Sequence, residues 1–176
     1  MTFEELGLKS EVLKSLVDLG FSAPTPIQEQ AIPHLMKEDC DFVGLAQTGT
    51  GKTAAFGLPL ISNIDTSLHL PQGLIICPTR ELCLQISKDL ASYSTYINCN
   101  IVAVYGGADI RKQMTDIKKG APIIVATPGR LMDLIKRKVI QLSQVRYVIL
   151  DEADEMLNMG FKEDIDSILE TTPKEK

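Results

Sequence analysis

The sequence has 176 residues, of which 44% are hydrophobic and 23% are charged, and its net charge at pH 7 is −5. A chain of this size can bury an ordinary core. Its hydrophobic content argues against intrinsic disorder, and no apolar run reaches the ~18 residues that would indicate a membrane span. The acidic balance excludes a general polyanion-binding surface, so any nucleic-acid contact must be local. We expect a single domain over residues 1–176 that ends in the tail after Glu170.

The chain start carries no basic stretch leading into an apolar one, which argues against a secretory signal and predicts a cytoplasmic protein. Reduced thiols are therefore expected at the cysteines. These residues form no Cys-x-x-Cys pair, so we interpret them as small buried side chains and assign no metal to them. The four cysteines are Cys40, Cys77, Cys83 and Cys99.

Five short apolar runs predict strands buried on both faces, and amphipathic stretches between them predict helices. The predicted strands are Phe42–Ala46, Leu74–Cys77, Ile101–Tyr105, Ile123–Ala126 and Tyr147–Leu150. The predicted helices lie at about 9–19, 27–37, 52–64, 80–92, 109–119, 128–138 and 161–170. This alternation predicts an α/β fold, with a doubly wound, mainly parallel sheet and helices on both faces. Ligands of such sheets bind where loops leave the carboxyl ends of the strands.

A glycine-rich segment follows the first predicted strand and opens a helix, which is the setting that a phosphate-binding loop requires. The segment is Ala46, Gln47, Thr48, Gly49, Thr50, Gly51, Lys52 and Thr53. Its backbone amides and the helix dipole would hold phosphates. Lys52 would reach the β- and γ-phosphates, and the Thr53 hydroxyl would ligate Mg²⁺. The alternative is a glycine turn capped by an exposed lysine.

Asp151, Glu152, Ala153 and Asp154 follow the last predicted strand. Asp151 emerges at the loop edge, where its carboxylate would hold Mg²⁺ partly through water, and Glu152 would orient the attacking water. Alone, the motif also fits a helix start enriched in acidic residues. Together with the glycine-rich segment it predicts an ATPase, with Lys52, Asp151 and Glu152 in the catalytic roles.

These two motifs resemble those of the DEAD-box family of ATP-dependent RNA helicases, in which Ala at position 46 is normal. The resemblance implies the N-terminal RecA-like P-loop domain, of a bacterial-like member. The stretch from Gly20 to Gln28 is similar to the adenine-recognising segment of that family, with Phe3 seventeen residues before Gly20. The resemblance implies that Phe3 stacks on adenine, that Gln28 bonds its edge, and that Phe21 and Thr25 belong to the same site. Without the family, Phe21 is core, Thr25 caps a helix and Phe3 anchors the terminus.

Three further loops match the family segments that grip the RNA sugar-phosphate backbone without reading its sequence. They contain Pro78, Thr79 and Arg80; Gly106 and Gly107; and Thr127, Pro128, Gly129 and Arg130. Arginine side chains, glycine amides and a Thr-capped helix start are suitable phosphate ligands. Eight Lys or Arg residues between Arg111 and Lys138 favour a local basic face beside these loops, although solvated helix faces would give the same pattern.

The resemblance covers almost the whole chain but includes neither the Ser-Ala-Thr motif nor a second RecA-like domain. We therefore expect a monomeric ATP-binding half that uses ATP and Mg²⁺ and hydrolyses very little alone, with Asp154 coupling it to the second domain. Unwinding of short RNA duplexes is the predicted activity. A nucleotide-gated RNA clamp is the alternative, and a P-loop ATPase acting on DNA or protein is a third possibility that leaves Phe3, Gln28 and the three loops unexplained.

Overall fold

The computed structural model describes residues 1–37 and 41–174, so Cys40 lies outside the described residues. The chain divides into two compact units. One comprises residues 1–64 and 88–98, and the other comprises residues 65–87 and the chain from 99 onward. In the described part of the chain, no helix is both long and apolar enough to cross a membrane.

The first unit is helical. A 3-10 turn at Glu4–Leu6 precedes helices α1 (Ser10–Asp18), α2 (Pro26–Lys37) and α3 (Lys52–Asn63), and the end of α4 (Arg80–Tyr93) completes the unit. Helix α1 buries Val12 and Leu16 on its apolar stripe. It ends as predicted, because Gly20 adopts a left-handed φ of 75° and lets the chain turn away.

The predicted strand Phe42–Ala46 is wrong. Residues 41–47 carry no regular secondary structure, and Val43 and Leu45 are 85% and 93% exposed. A strand forms through hydrogen bonds to a neighbouring strand, and a run of five apolar residues does not encode that partner. The glycine-rich segment therefore does not follow a strand in this structure.

The second unit contains a four-stranded, all-parallel sheet in the order β2-β3-β1-β4. The strands are β1 (Gly73–Ile76), β2 (Ile101–Val104), β3 (Ile123–Ala126) and β4 (Tyr147–Leu150). Their last residues are level across the sheet, since Ala126 pairs with both Ile76 and Val104, and Ile76 pairs with Leu150. All four carboxyl ends therefore lie at one edge, as predicted.

Burial follows strand position. The central strands β1 and β3 are buried throughout, whereas β2 and β4 form the two edges of the sheet and are only partly buried, so the expectation that every strand is covered on both faces is wrong for these two. Helices α5 (Ile110–Lys118), α6 (Pro128–Lys136), α7 (Ala153–Asn158) and α8 (Lys162–Glu170) belong to this unit. Side chains such as Ile124, Leu131, Met156 and Ile168 form its core.

The C-terminal end of α6 holds a non-glycine residue in a left-handed conformation. Lys138 has a φ of 57°, and the N–H groups of Lys138 and Val139 donate to the carbonyls of Ile135 and Leu134, which defines a Schellman motif. Helix α7 ends in the same way but with Gly160 at the corresponding position. The side chain of Lys138 therefore strains a position that glycine would occupy without strain.

We expect Lys138→Gly to raise the free energy of unfolding by about 1 kcal/mol, measured by urea denaturation, because it removes the left-handed strain. The control is Lys136→Gly at the last position of α6, which should lower the same free energy by about 0.5–1 kcal/mol because glycine is unfavourable within a helix. A loss of stability in Lys138→Gly would contradict this prediction.

Candidate functional site

The glycine-rich segment of the first unit leads into α3, which begins at Lys52 as predicted. Gly49 and Gly51 have φ values of 82° and 90°, a region that residues with a side chain rarely adopt. The Thr50 hydroxyl donates to the carbonyl of Gln47 at 2.7 Å and closes the turn. Space is open around Gly49, since a Cβ there would meet nothing within 4 Å.

The N-terminus of α3 suits an anion. Gly51 precedes the helix and supplies no side-chain cap, and the first turn contains no acidic residue, so the positive end of the helix dipole is uncompensated within α3. Lys52 and Thr53 lie half-buried in this first turn. Free amides, a cation and a hydroxyl at one helix start fit the phosphates and the Mg²⁺ ion of a nucleotide.

Gln28 joins the predicted adenine segment to this loop. Its amide is buried, its oxygen accepts from the Thr25 N–H at 3.0 Å, and its nitrogen donates to the Gly51 carbonyl at 3.1 Å. The first bond is half of a capping box at the start of α2. Thr25 does occupy the cap position, but its buried hydroxyl has no hydrogen-bond partner among the described residues. The role of Gln28 toward adenine stays a prediction.

Phe3, Phe21 and Tyr93 form an aromatic cluster in the first unit. The rings of Phe3 and Phe21 meet edge-on with centroids 6.0 Å apart, and those of Phe21 and Tyr93 meet with centroids 6.1 Å apart. Phe3 is 5% exposed, and burial together with Asp89 raises the pKa of Tyr93 to about 12. This packing agrees with the interpretation that Phe3 anchors the N-terminus of the chain. The stacking of Phe3 on adenine remains a prediction.

The carboxylate motif lies in the second unit at the end of β4. The Asp151 N–H extends the sheet ladder by donating to the Ile76 carbonyl at 3.0 Å, and the Asp151 carboxylate accepts from the Glu152 N–H at 3.1 Å. Glu152 has a φ of 54° and directly precedes α7, which carries Asp154 exposed in its first turn. A non-glycine residue held in this region is strained, and such strain concentrates at functional sites.

Two buried thiols lie under the same edge of the sheet. The Cys77 thiol donates to the carbonyls of Thr79 and Ala126 at 3.7 Å, and the neighbouring Cys83 thiol, burial and the negative charges of Asp151 and Glu152 raise the pKa of Cys77 above its ordinary value. Cys77 therefore remains a neutral thiol at neutral pH. Cys77 and Cys83 are fully buried, as the sequence predicted, and carry free thiols, while Cys99 is half-buried.

The first two predicted RNA-binding loops meet at the carboxyl edge. Pro78 and Thr79 follow β1, and the Thr79 hydroxyl accepts from the Leu82 N–H at 3.2 Å and so caps α4. Arg80 projects toward the loop after β2, where its guanidinium lies 3.6 Å from the position of a Cβ on Gly107 and 5.1 Å from the Tyr105 ring centroid. Thr79, Arg80, Gly106 and Gly107 are exposed at this edge.

Arg130 braces the loop after β2 from within. Its guanidinium donates to the Ala108 carbonyl at 3.2 Å and to the Gln113 side-chain oxygen at 3.1 Å, and the Gln113 nitrogen donates to the Tyr105 carbonyl at 3.0 Å. These bonds hold the segment that carries Gly106 and Gly107. Sequence reasoning missed Gln113, because one buried glutamine in an amphipathic helix gives no signal.

The third predicted loop forms the start of α6. Thr127 occupies the N-cap position, but its hydroxyl makes no capping bond, so the expected threonine cap is wrong. Pro128 takes the first helical position, where its missing N–H is not needed. The amides of Gly129 and Arg130 in this first turn have no partner four residues earlier within the helix, so they are suited to bind an anion.

The eight basic residues between positions 111 and 138 do not form a single face beside these loops, which corrects the sequence interpretation. Arg111, Lys112 and Arg130 lie in the first turns of α5 and α6, at the carboxyl edge. The other five lie at the opposite ends of these two helices, because each helix returns the chain to the start of the next strand. These five are Lys118, Lys119, Lys136, Arg137 and Lys138.

Comparison with known proteins gives consistent matches along the chain. The model of the DEAD/DEAH box helicase family matches residues 25–176. The ATP-dependent RNA helicase CshA of Listeria monocytogenes is 51% identical over 174 residues, which are 99% of this chain and 33% of that protein. The DEAD-box ATP-dependent RNA helicase CshA of Bacillus cereus is 50% identical over 173 residues, which are 98% of this chain and 33% of that protein. The chain thus spans about a third of the length of these relatives.

The fold of this chain also matches that of a solved structure. The S. cerevisiae Dbp5 variant, solved with a Gle1 variant and IP6, has a TM-score of 0.87 and 31% identity to this chain, and the match covers 99% of this chain and 44% of that one. The motifs at 46–53 and 151–154 both lie within the residues that the family model matches. This chain belongs to the DEAD/DEAH box helicase family.

Proposed function

We propose that this chain is the ATP-binding half of an ATP-dependent RNA helicase that unwinds short RNA duplexes. The observation that carries the proposal is the shared edge of the sheet in the second unit, where the carboxylates after β4 and the loops after β1, β2 and β3 all emerge. One edge thus offers acidic groups for a metal-bound nucleotide and amides and arginines for a phosphodiester backbone. Identity of about half to helicases of two bacterial species supports the same function.

Each side chain has a specific role in this proposal. Lys52 and the amides at the start of α3 bind the β- and γ-phosphates, and Thr53 and Asp151 hold Mg²⁺, Asp151 partly through water. When bound, Mg²⁺ neutralises charge on the phosphates. Glu152 orients the attacking water, and Gln28 selects adenine by its paired donor and acceptor. Asp154 couples this half to a second RecA-like domain.

The three loops bind the RNA backbone independently of base sequence in this proposal, the protein is cytoplasmic, and the 176-residue chain by itself is a monomer. A second domain would supply the arginines that stabilise transition-state charge, an effect of about 10³–10⁵ in rate. The relatives are about three times as long as this chain, which leaves room for such a domain in them.

The purified 176-residue chain should bind adenine nucleotide weakly and show negligible RNA-stimulated turnover, measured by calorimetry and by phosphate release, because these transition-state arginines are missing from it. Brisk multiple turnover by the chain alone would contradict the proposed division of labour. Binding of RNA is compared in parallel with binding of DNA of the same sequence. A preference for RNA would show that the chain recognises the 2′-hydroxyl.

A nucleotide-gated RNA clamp is the second candidate, because backbone contacts of this kind hold RNA whether or not a duplex is separated. Strand displacement by the complete enzyme, with and without ATP, distinguishes the two. A helicase releases the complementary strand when ATP is added, whereas a clamp retains RNA without releasing it.

A further inference from the structure

A basic surface lies at the edge of the second unit that is opposite the predicted RNA-binding loops. Its members are Lys118, Lys119, Lys136, Arg137, Lys138 and Arg146, all exposed, and we call it the basic edge. Lys118 is the last residue of α5 and Lys119 follows it. Lys136 is the last residue of α6, and Arg137 and Lys138 follow it, while Arg146 directly precedes β4. The strands of this sheet are parallel, so the residue before β4 lies at the amino edge, where α5 and α6 return.

The ends of the two helices border a common depression. A cavity of about 230 Å³ is lined by Lys118 at the end of α5 and Gly120 after it, by Val139, Ile140 and Gln141 after α6, and by residues 69–71. The segment is well anchored, because the Asn100 side chain donates to the Gly120 carbonyl and the Ala121 N–H donates to the His69 carbonyl at 3.0 Å. The lysines are therefore presented by a fixed backbone.

Most of this charge is not neutralised. Only Asp116 and Asp133 are acidic between residues 110 and 150, and they pair with Lys119 at 3.1 Å and Arg137 at 2.8 Å. Lys118, Lys136, Lys138 and Arg146 form no ion pair with any carboxylate of the described chain. Four cations that have no ion pair within the described residues thus lie at one edge of a chain whose net charge is −5.

Compensation of the helix dipole does not account for this cluster. The dipole favours cations within the last turn of a helix, which explains Lys118 and Lys136. Arg146 precedes a strand, and Lys138 lies beyond the end of α6 at the left-handed position that glycine would occupy without strain. A lysine kept in a strained conformation indicates a role for its charge, because strain persists mainly at functional positions.

We propose that the basic edge is a second contact for the phosphodiester backbone of RNA, separate from the loops at the carboxyl edge. The inference rests on the proposed function, because it assigns an additional site to the same ligand. A polyanion needs only accessible cations, and four are available. A protein partner would instead need several buried apolar or aromatic anchors, whereas Leu70 is the one exposed large hydrophobic residue of the described chain that lines the depression, and none lies between positions 116 and 146.

The proposal predicts a dependence on RNA length. Helices α5 and α6, nine residues each, are about 14 Å long, so an RNA must extend well past the carboxyl edge to reach the basic edge. An oligonucleotide of about 6 nucleotides fits within one site, whereas one of about 20 nucleotides can contact both. The second contact should therefore strengthen only the binding of the longer RNA.

The test is a fluorescence-anisotropy titration of both RNAs over a range of salt concentrations. The basic-edge variant combines Lys118→Gln, Lys136→Gln, Lys138→Gln and Arg146→Gln. We expect its affinity for the longer RNA to fall by about 10- to 100-fold at low salt, and the slope of log K against log salt to fall by about 2–3, with binding of the short RNA unchanged. The matched control carries Lys14→Gln, Lys88→Gln, Lys162→Gln and Lys174→Gln, the same charge change at other exposed positions, and should bind as the wild type does.

Arg80→Ala separates failure of this inference from failure of the proposed function, because Arg80 lies at the carboxyl edge and should matter for both RNAs. If Arg80→Ala weakens the binding of both RNAs while the basic-edge variant binds them as the control does, the inference is wrong and the proposed function stands. If the wild type binds neither RNA, both are wrong. Polyglutamate that competes as strongly as the longer RNA would assign the basic edge to an acidic protein segment and overturn the inference.

Discussion

Replacing Gly51 by alanine is expected to lower the free energy of unfolding by about 2–4 kcal/mol and to abolish nucleotide binding. Two causes add. The backbone of Gly51 has a φ of 90°, which strains any residue with a side chain, and a Cβ there would lie 2.4 Å from the amide nitrogen of Gln28. Gln28 cannot move away without losing its bonds to Thr25 and to the Gly51 carbonyl.

Urea denaturation and titration with a fluorescent adenine nucleotide measure the two effects. Gly49→Ala is the matched control, because Gly49 has a similar φ of 82° but open space around it. Its free energy of unfolding should fall by only about 1–2 kcal/mol. In the Gln28→Ala background, Gly51→Ala should lower the free energy of unfolding by less than it does in the wild type, because the amide that the new Cβ would meet is gone. Equal losses in Gly49→Ala and Gly51→Ala would show that the contact with Gln28 is unimportant.

Glu152→Gln is expected to reduce ATP turnover of the complete enzyme by about 10²–10⁴-fold while leaving ATP binding largely intact, because the amide keeps the size of the side chain but not its charge. Phosphate release and nucleotide titration provide the two measurements. Lys52→Ala should instead weaken binding first, since Lys52 is proposed to contact the phosphates in the ground state. The reverse pattern would exchange the roles proposed for these two residues.

The strain at Glu152 extends this prediction. Glu152→Gly should also be inactive, yet it should raise the free energy of unfolding by about 1 kcal/mol because glycine accepts a φ of 54°. Lys138→Gly serves as its control, with a similar gain in stability and unchanged ATP turnover in the absence of RNA. Full turnover in Glu152→Gly would contradict the catalytic role proposed for the Glu152 carboxylate.

Local patterns predicted seven of the eight α-helices in the described residues and missed the short helix α7. The start of α3 at Lys52 and the end of α1 near Gly20 agree with expectation, because glycine and the periodicity of apolar residues act over a few neighbouring residues. The alternation of strands with helices likewise predicted parallel pairing and a common carboxyl edge, since a helix between parallel strands must return the chain to the other edge.

The strand at Phe42–Ala46 was predicted and is absent from the described residues, and the single basic face divides between two edges. Both errors have the same origin. A run of apolar residues does not indicate whether another strand will pair with it. Residues near the end of a helix are close in sequence to the loop that precedes the helix, but they can lie far from it in space. Residues at the two ends of α6 are only a few positions apart in sequence but lie at opposite edges of the sheet.

The sequence by itself determined the family, the α/β fold class and the motifs at 46–53 and 151–154, because these depend on residue types at short, fixed spacings. Only the tertiary structure decided that Gln28 bonds to Gly51, that Gln113 and Arg130 brace the loop after β2, and that Glu152 and Lys138 are strained. Such features arise from pairs of groups far apart in sequence, or from backbone angles set by the surrounding packing. Local residue patterns carry no record of either.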